Sequence, residues 1–68
     1  MPIFHFDVTV GFRLEDPVGM DCANERDAKK AADMIARQIA ADIPSDEERC
    51  VVVIDEAGLE IYKAAVKN

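Results

Sequence analysis

The sequence is poor in the residues that build metal centres and disulfide frameworks. Its only cysteines are Cys22 and Cys50, its only histidine is His5, and no CxxC or HxxxH spacing occurs. We expect both cysteines to be reduced, partly buried small hydrophobic residues, and we expect no metal ion and no cofactor. Cys22 precedes the predicted helix, whose N-terminus can lower the pKa of a thiol, but no histidine lies near it in sequence to act as a base.

Long apolar runs and an excess of positive charge are also missing. The longest unbroken apolar run, Cys50–Ile54, is too short to cross a bilayer. Fourteen acids against eight bases give a net charge of −6, which repels phosphate backbones and makes a basic protein a better partner than nucleic acid. The opening MPIFHFDV has no basic region before an apolar stretch, so we expect no signal peptide and a cytoplasmic protein.

What is present is the pattern of one small folded domain over residues 1–68, with half of its residues apolar. Residues 1–22 are predicted to form a β-hairpin. Apolar and polar residues alternate over residues 3–10, as in a strand with one buried face. Gly11 ends this strand, a short second strand follows around residues 12–15, and the next four residues, Asp-Pro-Val-Gly, have the composition of a turn.

Residues 24–43 are predicted to form an amphipathic helix. Asn24 suits the N-cap position and Asp27 follows three residues later, while Pro44 ends the helix. One apolar stripe follows from spacings of three and four: Ala28, Ala32, Ile35, Ile39 and Ile43.

Residues 49–63 are predicted to form a second hairpin. Its turn, Asp-Glu-Ala-Gly, suggests a type I turn with Gly58 in the left-handed region as a G1 bulge. In that register Val53 faces Ile61. The tail 64–68 has no pattern and is predicted to fray.

The ββαββ order predicts an α+β domain, in which a four-stranded antiparallel sheet carries one helix across one face. The strand over residues 50–54 is apolar on both sides, which a one-layer sheet in water does not need. Either this strand is central and its outer side chains are tolerated, or the open face is covered. The predicted core residues are Phe4, Phe6, Val8, Val51, Val53, Leu59, Ile61, Ala28, Ala32, Ile35 and Ile39.

The order of these features resembles a family of short bacterial proteins of unknown function. The resemblance rests on Phe4-His5-Phe6, Leu14-x-Asp16-x-x-Gly19, the N-cap Asn24 before an alanine-rich helix, and Asp55-Glu56-x-Gly58 before the last strand. The chain departs from the family pattern at Cys22-Ala23, where a Leu-Pro pair is usual. The resemblance implies no established activity, cofactor or catalytic residue.

A second similarity is to the HicB antitoxin fold, which also places strands and a D-x-x-G-like turn before an Ala/Glu-rich helix. Proteins of that fold often pair with a small basic toxin, which a net charge of −6 suits. The strand count and the lack of an attached DNA-binding domain in this sequence count against that similarity.

No motif in the sequence carries chemistry, so we predict that the protein is not an enzyme. Asp16, Asp21, Asp55 and Glu56 lie at predicted turns, where acids are favoured for local hydrogen bonds. A solvated or hydrogen-bonded role is likewise expected for His5.

Three functions stay open, in order of preference. The first is a non-enzymatic protein-interaction module that self-associates, the second is an antitoxin-like binder of a basic protein partner, and the third is an enzyme or small-molecule binder. The predicted register places Val52, Ile54 and Tyr62 together on the sheet face away from the helix. We predict that they form the interaction surface, most simply that of a weak symmetric homodimer.

Overall fold

Five strands form one antiparallel sheet, and a single helix packs on one of its faces. A computed structural model describes residues 2–67. The elements are β1 (Ile3–Thr9), β2 (Arg13–Leu14), β3 (Met20–Asp21), α1 (Glu25–Asp42), β4 (Arg49–Ile54) and β5 (Glu60–Val66). The sheet order is β2-β1-β4-β5, and β3 pairs with β1. The α+β class, with an antiparallel sheet and one helix across one face, is confirmed.

The helix begins and ends where its caps predict. Asn24 Oδ1 accepts a hydrogen bond from the N–H of Asp27 at 2.9 Å, and this satisfies one of the free N–H groups of the first turn. At the other end, no basic residue lies in the last turn. Arg49 of β4 takes that place, because its Nη1 donates to the carbonyl oxygen of Ile43 at 2.5 Å.

The buried stripe of α1 consists of alanines. Ala28, Ala32 and Ala36 are buried against the sheet, whereas Ile35 and Ile39 are only partly buried at its flank. The expectation that both isoleucines would be nearly fully buried is therefore wrong. A helix that presents alanine at every fourth position lies too close to its sheet for a larger side chain on the central line.

Besides the predicted bulge residue Gly58, the last hairpin contains a further β-bulge between Glu60 and Tyr62 that the sequence pattern did not predict. Gly58 has a φ of +83°, which confirms the left-handed turn residue. The register shifts between Val53 and Ile54, so that Val53 pairs with Tyr62 instead of Ile61. Because one extra residue reverses the face of everything beyond it, Tyr62 points to the helix side of the sheet.

Two further corrections concern the same hairpin. β5 runs to Val66, and Ala64 and Val66 are buried, so the predicted frayed tail is wrong for residues 64–66. Asn68, which also belongs to that tail, lies outside the described residues. Leu59, expected in the core, is 62% exposed because the turn holds it beyond the end of the helix-covered sheet.

β4 is central in the sheet, and its outer face is covered. Val52 lies between Asp7 of β1 and Lys63 of β5 and is only 1% exposed. Above it, Arg13 contacts Asp7 at 2.8 Å and Glu60 at 3.9 Å, so a chain of ion pairs crosses from β1 to β5. The strand over residues 50–54, which is apolar on both faces, is therefore central in the sheet and is also covered on its outer face by charged side chains.

Candidate interaction surface

The segment between β1 and α1 folds back along the outer edge of β1. β2 pairs with Val8 and Thr9, and β3 pairs with Ile3 and Phe4, which leaves a gap in the ladder at Phe6. The N–H of Cys22 donates to the carbonyl oxygen of Pro2, which continues the pairing of β3. The edge of β1 is thus covered in two short pieces.

The carboxylate of Asp16 fills the gap between these two pieces. Asp16 Oδ2 accepts a hydrogen bond from the N–H of Phe6 at 3.1 Å, and Oδ1 accepts from the N–H groups of Val18 and Gly19, each at 3.1 Å. Desolvation acts to raise the pKa of Asp16, but the three N–H donors and the charge of His5 together outweigh it and lower the pKa below its ordinary value. The carboxylate therefore supplies the acceptor for the N–H of Phe6 that no strand supplies, and it also closes the turn that follows it.

Asp7 holds the same segment from the other face of the sheet. Its Oδ1 accepts from the N–H of Asp16 at 2.9 Å, and its Oδ2 accepts from Arg13 Nε at 2.8 Å. Asp7 itself is buried. A buried carboxylate needs hydrogen bonds to its oxygens, and this segment supplies them to Asp7.

Gly19 allows the segment to lie close to β1. Its φ is +81°, and a Cβ at this position would lie 2.6 Å from Ile3 Cγ2 and 3.1 Å from the carbonyl oxygen of Phe4. Both the backbone conformation and the close approach exclude larger residues. The D-x-x-G motif that supports the family resemblance is therefore a clamp on the edge of β1.

Four large apolar side chains of this clamped segment are exposed to solvent. We name as the edge patch these four side chains, which are between 44% and 78% exposed: Phe12, Leu14, Val18 and Met20. Leu14 pairs with Val8 and Met20 pairs with Phe4, so both lie on the helix side of the sheet. The helix packs on β4 and β5, and therefore leaves this edge uncovered.

The opposite edge of the sheet lacks such a surface. On β5, Glu60 and Lys63 form an ion pair at 3.6 Å, and the bulge bends the strand. Charged side chains and bulges protect an edge strand against pairing with another chain.

The three residues predicted as the interaction surface do not lie together. Val52 is buried under the ion pairs of the open face, and Ile54 is partly buried on that face. Tyr62 lies on the helix side, where its hydroxyl donates to Asp33 Oδ1 at 2.8 Å and Lys29 Nζ stands 5.9 Å from the ring centroid. Its predicted placement is wrong because of the bulge in β5.

Apolar residues inside a turn-rich segment were the signal that could have identified the edge patch. Residues 11–21 carry two glycines, a proline and four charged residues, which favour loops. Five of the eight large apolar residues that are exposed within residues 2–67 nevertheless lie between residues 3 and 20. Periodicity cannot detect such a surface, because these side chains belong to two strands of two residues each.

The side chains that could take part in catalysis or bind a metal ion are engaged in structural contacts. Nδ1 of His5 lies 2.7 Å from the carbonyl oxygen of Asp16, so Nδ1–H is the donor. Burial raises the pKa of the Cys22 thiol, and the carboxylates of Asp27 and Asp21 raise it further, which opposes thiolate formation. Cys50 is also a free thiol. Across residues 2–67, no group of three or more His, Cys, Asp or Glu side chains is arranged to hold a metal ion.

Comparisons with known proteins identify a family for this chain but no activity. No helix in the described part of the chain is long and apolar enough to span a membrane. No curated protein and no solved structure matches the chain. A family model described as "Domain of unknown function (DUF6894)" matches residues 3–67, which is nearly the whole sequence. The chain therefore belongs to the DUF6894 family of domains of unknown function.

Proposed function

We propose that this chain is a non-enzymatic protein-interaction module whose contact surface is the edge patch. The observation that carries the proposal is the exposure of four large apolar side chains on a segment that two carboxylates hold in place. An exposed apolar patch on a folded protein often marks an interaction site. A pre-organised segment also loses little conformational entropy when a partner binds.

The engagement of the reactive groups supports a role without catalysis. The carboxylate oxygens of Asp7 and Asp16 all accept hydrogen bonds from this chain, and burial raises the pKa of Cys22. A general base or nucleophile must instead be able to reach its substrate. Two free thiols, one of them buried, fit a reducing compartment such as the cytoplasm.

The sheet face away from the helix offers a poorer surface for self-association. Val52 is buried there beneath the Asp7–Arg13–Glu60 ion pairs, and Tyr62 lies on the helix side. Of the three residues predicted as the interaction surface, Ile54 alone remains partly exposed on this face. We therefore do not place a symmetric homodimer on this face, and self-association of the chain stays a prediction.

Affinity capture with matched variants tests the proposal. The parent protein, a Phe12→Ser/Leu14→Ser variant and a Leu59→Ser control are used to capture proteins from native lysate. Leu59 is the control because it is equally exposed but lies in the β4–β5 turn. We expect a partner that the parent and the control retain and the double variant loses, and isothermal titration with the purified partner should give the same order.

Two outcomes would overturn the proposal. One is equal binding of the partner by all three proteins. The other is a double variant whose far-UV circular dichroism matches that of the parent and which loses no partner and no self-association by sedimentation equilibrium.

A further inference from the structure

We infer that residues 11–21 form a flap that opens as one unit from the edge of β1 while the rest of the domain stays folded. The carboxylates of Asp7 and Asp16 are the latch that holds this flap closed. The inference goes beyond the proposed function and does not depend on it, because the opening of the flap can be measured without a partner.

The hydrophobic core of the domain is complete without the flap. None of residues 11–21 is buried, and none of them belongs to the core cluster. Within residues 2–67, the buried apolar side chains lie in β1, α1, β4 and β5 and at Cys22. Opening of the flap therefore exposes little apolar surface, and segments with few buried apolar contacts have the lowest opening free energies in a protein.

Hydrogen bonds hold the flap closed, and the latch accepts three of those that join it to β1. The N–H of Phe6 donates to Asp16 Oδ2 at 3.1 Å. Asp7 accepts the other two, from the N–H of Asp16 at 2.9 Å and from Arg13 Nε at 2.8 Å. The ladders of β2 and β3 add only two residue pairs each. Because water replaces these bonds when the flap opens, they favour the closed flap by less than core packing favours the folded domain.

The flap joins the rest of the domain at two points of different kinds. At Gly11 the chain is loosely packed, since a Cβ there would meet no atom within 4 Å. At the other end Cys22 is buried, and its N–H donates to the carbonyl oxygen of Pro2 at 3.1 Å. Gly11 therefore suits a hinge, whereas Cys22 fixes the chain shortly before α1 begins.

The edge patch exists only while the flap is closed, because all four of its side chains belong to residues 11–21. A partner bound to the edge patch would hold the flap closed, since a ligand shifts a protein toward the state that it binds better. Opening takes this surface apart and frees the backbone groups on the outer edge of β1. The flap is therefore a device that assembles and dismantles the surface.

Native-state hydrogen exchange, followed by NMR at low urea concentrations, tests the flap with two sets of N–H groups in one strand. Successive N–H groups of a strand point to opposite edges, so those of Phe4, Phe6 and Val8 face the flap and those of His5 and Asp7 face β4. We expect the first set to share one opening free energy with little urea dependence. The second set should exchange only through global unfolding, with protection factors at least about tenfold higher and with full urea dependence.

A core variant separates flap opening from global unfolding. Ile39 packs against the core from α1, which contacts β4 and β5, so its packing is the same whether the flap is closed or open. Ile39→Ala should therefore speed exchange of the N–H groups that face β4 about tenfold and leave the rates of those that face the flap unchanged.

A second pair of variants tests the latch. Asp16→Asn weakens the closed flap and should speed exchange of the N–H groups that face it about tenfold. Glu15→Gln is the matched control, because it neutralises the neighbouring exposed carboxylate, which accepts no hydrogen bond within residues 2–67. Glu15→Gln should leave the same rates unchanged.

Equal opening free energies for the two sets of N–H groups, or equal acceleration of both sets by Ile39→Ala, would overturn the flap. Three different opening free energies at Phe4, Phe6 and Val8 would show that the segment frays in pieces, which also overturns it. Equal rates in Asp16→Asn and Glu15→Gln would overturn the latch. The proposed function fails by a different measurement, the capture of a partner through the edge patch.

Discussion

At the scale of single residues, Asp16 and Gly19 determine how the edge of the sheet is closed. The carboxylate of Asp16 accepts hydrogen bonds from three backbone N–H groups, that of Phe6 in β1 and those of Val18 and Gly19 in its own turn. Gly19 lets the chain approach β1 closely enough for those bonds to form. From the sequence, Asp16 and Gly19 were assigned only to a turn. In the folded chain they also close the edge of β1.

Replacement of Gly19 by alanine should be more damaging than the same change at Gly11. Both glycines have a positive φ, but a Cβ at Gly11 would meet no atom within 4 Å. We expect Gly11→Ala to cost about 1–2 kcal/mol from the backbone conformation alone. Gly19→Ala should cost about 2–4 kcal/mol, because the contact with Ile3 and Phe4 adds to it. Urea denaturation of the two variants measures the difference, and equal costs would contradict the close approach.

Asp16 should make the stability of the protein depend on acidic pH. Its pKa in the folded state is lowered, so its contribution is complete above its pKa in the unfolded chain, about 4, and is lost as pH falls through the folded value. Asp16→Asn should be less stable than the parent at pH 7, since an amide nitrogen would face the N–H of Phe6. The gap between the two proteins should narrow on acidification. A gap that stays constant with pH in chemical denaturation would refute this role.

At the scale of elements, the helix is defined by its small side chains. The sequence pattern identified its period, its caps and the stripe positions of Ala28 and Ala32, but it placed Ile35 and Ile39 in the core and left Ala36 out of it. Ile39 lies at the flank, so Ile39→Ala should cost less than the roughly 2–5 kcal/mol of a fully buried isoleucine.

Enlarging the central alanine should reveal the tight packing of α1 on β4 and β5. Ala32 is fully buried, so Ala32→Leu should destabilise the protein by about 1–3 kcal/mol through overpacking. Ala41 is exposed on the same helix, and Ala41→Leu should change stability by no more than about 0.5 kcal/mol. Thermal unfolding of both variants checks this, and a neutral Ala32→Leu would contradict the close packing.

Tyr62 connects β5 to the helix, and its titration should report that contact. The hydrogen bond to Asp33, burial and the charge of Asp33 raise the pKa of Tyr62 above its ordinary value of about 10. The protein has one tyrosine and no tryptophan, so the ultraviolet titration measures Tyr62 alone. Asp33→Asn should lower the midpoint, whereas Asp46→Asn should leave it unchanged.

The same contact predicts how stability changes at alkaline pH. Because the folded pKa of Tyr62 is raised, its contribution is present below the unfolded pKa and is lost as pH rises through the folded value. A Tyr62 midpoint equal in the folded and the urea-unfolded protein would show that the contact with Asp33 does not form in solution.

At the scale of the whole molecule, the two faces of the sheet are covered by different means. The helix covers one face, and the chain of ion pairs from Arg13 to Lys63 covers the centre of the other. A domain of 68 residues has a free energy of unfolding of only about 3–5 kcal/mol. The burial of a single valine on the second face, Val52, therefore contributes appreciably to that free energy.

Val52→Lys should therefore act on folding before it acts on association. A lysine at a position that is 1% exposed must either bury its ammonium group or displace the ion pairs, and we expect a loss of about 2–4 kcal/mol. Ala65→Lys is the control, because Ala65 is an exposed residue on the same face. Far-UV circular dichroism during urea titration compares them. A Val52→Lys protein as stable as the parent would contradict the covered face.

Periodicity and caps by themselves determined the α+β class, the helix boundaries, the left-handed Gly58 and the order of all elements except the two-residue strand β3. These features depend on residues close together in the chain, whose preferences can be inferred from spacing and turn chemistry. The family resemblance, carried by the D-x-x-G turn, Asn24 and the second hairpin, depended on the same local signals.

Only the tertiary structure decided the register of β5, the burial of Val52 and the existence of the edge patch. One bulged residue moved Tyr62 to the helix side, since a strand side chain changes face at every residue. Val52 is covered by side chains that are far from it in sequence, and Asp16 closes a gap in β1 ten residues away. Contacts between distant segments leave no period in the sequence, so the candidate surface became visible only in the folded chain.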